Sequence, residues 1–146
     1  MRNNLTVSNM MNNPDTVNRV KFGTIDSWII YNLSNGIHHI TDVTNASRTL
    51  LMNLKTCDWD SDICKLLKIP MQILPKIKSS SEIYCYITPW NNKNSNNNRI
   101  NSIRATLPSN IINIPISGCL GDQQSSLFGH LCIKPGIFYQ NIIYIR

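Results

Sequence analysis

"PISGCLGDQQSSLFGHL", residues 115–131, decides how the rest of the chain is read. Its first half is apolar and suits a strand. Gly118 and Gly121 then bracket a bend, and an acid and two amides follow at once. From Asp122 onward the spacing predicts a helix, with Leu127, Leu131 and Phe128 facing inward. A strand passing through glycines into a helix lets backbone approach a ligand closely, and open α/β sheets bind ligands at the carboxyl ends of their strands. Two roles are therefore open to Asp122. It can cap the helix by accepting a backbone N–H two or three residues on, or its carboxylate can face a substrate. Gln123 either binds a hydroxyl-rich ligand through its donor and acceptor together, or is simply exposed.

Working outward, "TDVTNASRTLLMNLKTCDWD", residues 41–60, contains "TNAS", whose side chains bond nearby backbone as turns and caps require. "RTLLMNL" then reads as a strand. Residues 58–69 read as a helix capped by Asp58 or Asp60, with Lys65 and Lys68 near its end and Pro70 beyond. Ile63, Leu66, Leu67 and Ile69 supply its apolar face. Upstream, residues 27–33 suit a helix with Asp26 as cap and Asn35-Gly36 as stop, followed by a short strand over 37–40. Downstream come a short helix or turn after Pro70 and a strand over 82–87. Residues 1–20 read as a disordered lead-in, 21–136 as one domain, 90–110 as an Asn-rich insertion, and 137–146 as a strand-like tail. Strands alternating with helices predict an α/β architecture.

Fourteen basic residues stand against eight acidic ones, for a net charge of +6, but the cations are scattered. A nucleic-acid groove needs them clustered with aromatics between, so no nucleic-acid partner is expected. No apolar run reaches membrane-span length and the first residues lack an apolar core, so a soluble, cytoplasmic protein is expected. The five cysteines are odd in number and form no C-x-x-C pair, which favours buried free thiols. Arg48 is either a surface residue, a structural ion pair with Asp42 or Asp58, or a site residue. His38-His39 has no acid beside it in sequence. Cys119 could act as a nucleophile but shows no partner base.

"FGTIDSWIIYNL", "TDVTNASRTLLMNLKTCDWD", "ILPKIKSSSEIY" and "IPISGCLGDQQSSLFGHLCIKPG" occur in that order. Together they resemble the glycerol kinases of the FGGY carbohydrate kinase family. The resemblance implies an actin-like, ribonuclease-H-like α/β domain, here incomplete. It implies transfer of the γ-phosphoryl of ATP, with Mg²⁺, to glycerol. It also assigns the catalytic base to Asp122 and a glycerol contact to Gln123. The family's phosphate-contacting hairpin and nucleotide-touching turn have no counterpart in the 146 residues, so the chain alone is expected to be inactive. A non-catalytic remnant or interaction protein that keeps the domain core is the alternative.

Overall fold

The computed structural model describes residues 13–89 and 107–132, together with Asn9 and Lys134. The Asn-rich stretch up to residue 106 and the tail over 137–146 lie outside the described residues.

Residues 13–20, expected in the lead-in, are ordered by a cap. Helix α1 (Pro14–Val17) starts with proline at its first position, and the Asn13 side chain accepts from the Asp15 N–H. Val17 is buried in a core cluster with Leu51, Cys64, Ile73 and Leu74. Helix α2 (Ile25–Leu33) ends where expected. Asn35 and Gly36 take positive φ, and the Gly36 N–H donates to the Tyr31 carbonyl. Its cap position is Thr24, not Asp26. Asp26 sits one residue inside the helix and accepts from Thr41 Oγ1 at 2.7 Å. Ile25 and Trp28 on this helix are 79% and 68% exposed, so its apolar side is only partly covered.

Strand β1 is Ile40–Asp42, later than the expected 37–40, and all three residues are buried. It pairs in parallel with β4 (Lys76–Lys78), a strand the sequence pattern did not indicate. A parallel pair needs a long crossover, and residues 43–75 supply it. That crossover holds helix α3 (Val43–Ala46), a hairpin of β2 (Met52–Asn53) with β3 (Asp58–Trp59), helix α4 (Ser61–Leu66) and a 3₁₀ turn at Met71–Ile73. The long strand expected over "RTLLMNL" shrinks to β2. Ser47 and Thr49 hydroxyls donate to the Thr44 and Ala46 carbonyls, and this local bonding draws residues 47–50 into a turn.

Asp60 caps α4 by accepting from the Asp62 and Ile63 N–H groups, while Asp58 lies in β3. Leu66 and Leu67 are exposed, and Cys64 carries the buried face with help from Ile63. Strand β5 (Cys85–Tyr86) pairs antiparallel with β6 (Pro115–Ile116), which follows a 3₁₀ turn at Ser109–Ile111. Helix α5 (Asp122–Gly129) follows β6. Its Leu127, Phe128 and the following Leu131 are exposed rather than inward-facing. A second core cluster joins Ile30, Ile40, Tyr84 and Cys85, with Ile116 and Cys119 packed on it. That cluster brings the carboxyl ends of β1 and β6 side by side. Asp42 closes β1, and the Gly118–Gly121 bend follows β6.

Candidate functional site

Asp42 is fully buried, so an unpaired charge there would be costly. Its carboxylate is saturated instead. Oδ2 accepts from the Thr44 N–H, Thr44 Oγ1 and Ser80 Oγ at 2.9, 2.6 and 2.7 Å. Oδ1 accepts from the Asn45 N–H and Nδ2 at 3.0 and 2.6 Å. Burial pushes this carboxyl up, but hydrogen bonds from Thr44, Ser80 and Asn45 outweigh it and hold it below the usual carboxylate range. Asp42 is thereby the cap of α3, and "TNAS" lies in and just after that capped helical turn, in line with its turn- and cap-forming side chains.

Three of these partners reach the bend before α5. Thr44 Oγ1 accepts from the Gly121 N–H at 2.7 Å. Asn45 Nδ2 approaches Cys119 Sγ at 3.7 Å. The Ser80 carbonyl accepts from the Cys119 N–H at 3.2 Å. The approach explains the glycines. A Cβ on Gly118 would lie 2.6 Å from the Ser80 carbonyl oxygen, closer than real side chains come. A Cβ on Gly121 would lie 2.8 Å from Gln124 Oε1, a movable side-chain end, and 3.3 Å from Thr44 Oγ1.

Asp122 contrasts with Asp42. The cap position of α5 is Gly121, which has no side chain to offer, and Asp122 is the first helical residue. Among the described residues its Oδ1 accepts the neighbouring Gln123 N–H, at 2.7 Å, and no N–H two or three residues on, so the expected capping role is not the one it fills. The residue is exposed and lines an open cleft of 730 Å³ between the start of α2 and the bend. Thr24, Asp26, Asn45 and Asp122 provide polar groups there, and Ile29, Ile116 and Leu120 provide apolar wall. Carboxylate acceptors with a hydroxyl and an amide beside an apolar wall suit a small polar ligand such as a polyol. Gln123 is exposed and is not among the residues that line this cleft.

One trio with cation-ligand chemistry occurs among the described residues. Asp26, Asp42 and Cys119 bring their ligand atoms within 4.8 Å of one another. The trio does not fit Mg²⁺, which wants six oxygens in near-octahedral array. The Asp42 oxygens are already taken by five donors. Cys119 is a thiol, pushed up to about 11 by burial and by the Asp26 and Asp42 carboxylates. The same shift removes Cys119 as a nucleophile at neutral pH, since the thiolate is the reactive form.

The remaining sequence candidates stay apart from the cleft. Arg48 is exposed and its Nε donates to Ser47 Oγ, and neither of its expected ion pairs forms among the described residues. His38 donates its N–H to Ser34 Oγ, and the His39 ring meets Tyr31 edge-on. Cys64 and Cys85 are buried free thiols as expected, whereas Cys57 is exposed. Sequence reasoning missed Thr44 as a site residue.

The family model for the N-terminal domain of the FGGY family of carbohydrate kinases matches residues 9–129. A glycerol kinase of Mycoplasmoides gallisepticum is 51% identical over 117 residues, covering 79% of this chain and 20% of that protein. One from Koribacter versatilis is 44% identical over 119 residues, covering 82% and 20%. The crystal structure of Plasmodium falciparum glycerol kinase with ADP superposes with a TM-score of 0.61 at 35% identity, covering 84% of this chain and 22% of that one. The chain thus spans about a fifth of the length of the curated relatives it matches.

Proposed function

Because the chain belongs to the FGGY family of carbohydrate kinases, with an actin-like α/β fold, we propose that it forms part of an ATP-dependent glycerol kinase. Asp122 is the base that accepts the proton of the attacking glycerol hydroxyl, and Gln123 holds glycerol. The observation that supports this most is the position of Asp122. It has a carboxylate on the cleft, at a helix N-terminus, and it is free of capping duty. Negative charge is favoured at that helix end, which suits a carboxylate there. Phosphoryl transfer is mostly positioning and charge stabilisation, and the base only has to take a proton as the bond to phosphorus forms.

ATP and Mg²⁺ are the cofactors the family implies, with glycerol as the alcohol. The Asp26–Asp42–Cys119 trio does not fit Mg²⁺, so no step at this site is routed through a metal. A lone base contributes about 10²–10⁴-fold, and the larger positioning and charge effects need partners beyond these residues. The 146-residue chain by itself is therefore expected to show no glycerol-dependent ATP turnover. The residues are tested in a complete kinase in which residues 22–132 stand in place of the matched segment of the Mycoplasmoides gallisepticum glycerol kinase. That chimera turns over ATP only with glycerol, and Asp122→Asn lowers kcat by about 10²–10⁴-fold. A chimera without turnover, or an Asp122→Asn form with parental kcat, contradicts the proposal.

A further inference from the structure

We propose that Thr44 is a positioning residue for Asp122, with buried Asp42 as its anchor; the proposal rests on Asp122 being the base. The Gly118–Gly121 bend precedes α5 directly, and Gly121 brings no cap of its own. An N–H can only donate, so Thr44 Oγ1 must accept the Gly121 bond. The Thr44 hydroxyl proton is then committed to Asp42 Oδ2, 2.6 Å away. That carboxylate is ionised and surrounded by donors, so the direction of the relay has no alternative.

Ser80 ties the same bend at Cys119, and Asn45 reaches the Cys119 sulfur. One buried acid at the end of β1 thus holds three points on a turn about 80 residues downstream, by way of three neighbours. Of the three, the Thr44 link lies nearest the base, on the residue before Asp122. Loss of the hydroxyl leaves the Gly121 N–H without its partner and frees the bend to move. Displacement of a reacting group by about 1 Å is worth about 10²-fold in rate.

The test uses the chimeric kinase and the full 146-residue chain. In the chimera, Thr44→Val, which keeps the volume, lowers kcat by about 10- to 100-fold, with KM for glycerol changed far less. Thr44→Ser, which keeps the hydroxyl, restores kcat. In the full chain, the Gly121 amide exchanges faster with solvent in Thr44→Val than in the parent or Thr44→Ser, while amides of the Val17–Leu74 cluster keep their rates. If Asp122→Asn abolishes turnover but Thr44→Val does not lower kcat, positioning fails and the base assignment survives. If Asp122→Asn is active, the base assignment fails first. Unchanged Gly121 exchange in Thr44→Val, or no rescue by Thr44→Ser, overturns the relay.

Discussion

Asp42 ends a strand, Asp122 comes after one, and each stands at the start of a helix, yet they share almost nothing else. Asp42 is sealed from solvent and accepts five hydrogen bonds. Asp122 is exposed and accepts one, from its own neighbour. The difference separates an acid used up in holding the fold from one left facing a cleft. A carboxylate whose lone pairs are all used is fixed and inert. One left nearly bare at a cleft can still take a proton.

The comparison breaks first at Asp42. Replacing it by Asn turns an amide N–H₂ toward groups that are themselves donors. With buried groups left unsatisfied at about 1–3 kcal/mol each, Asp42→Asn is expected to cost about 3 kcal/mol or more, read by urea denaturation. The same acid carries a pH signature. Its folded pKa is depressed, so its contribution is present above the unfolded value of about 3.9 and is lost as pH falls through the lower folded value. The parent chain therefore loses stability on acidification below about pH 4. Asp42→Asn shows a shallower fall, because partly buried acids such as Asp60 and Glu82, also held low by hydrogen bonds, still contribute. Equal slopes would remove Asp42 from its role as hub.

A smaller effect separates the two glycines of the bend. Gly118→Ala drives a methyl against the Ser80 backbone carbonyl, which cannot step aside, and is expected to cost about 1–3 kcal/mol. Gly121→Ala meets chiefly the movable end of Gln124, so its cost is lower. Thermal denaturation of both variants orders them, and the reverse order would mean that the bend is not held from the Ser80 side.

Local signals in the sequence placed α2 with its Asn35-Gly36 stop, α4 with a cap at Asp58 or Asp60, of which Asp60 fills it, and α5 after Gly121. These rest on caps and breakers, whose chemistry acts over a few residues. Strand β4 was not legible, because "KIK" gains its structure only from the distant partner β1. Phe128 and Leu127 follow helical periodicity yet are exposed, since periodicity says which residues share a face and not what covers it. At the site, Asp122 and Gln123 were visible as types at a glycine bend. Thr44 was not, because its partner lies at the far end of the domain and only the fold joins them.

The most direct measurement compares the Asp122→Asn chimera with its parent in two assays, glycerol-dependent turnover and thermal melting. The expected result is kcat lowered by about 10²–10⁴-fold, with stability lowered by no more than the roughly 0.3–1 kcal/mol of a helix-end charge. Parental turnover in the amide form, or a loss of activity that merely tracks a loss of folded protein, would contradict the assignment.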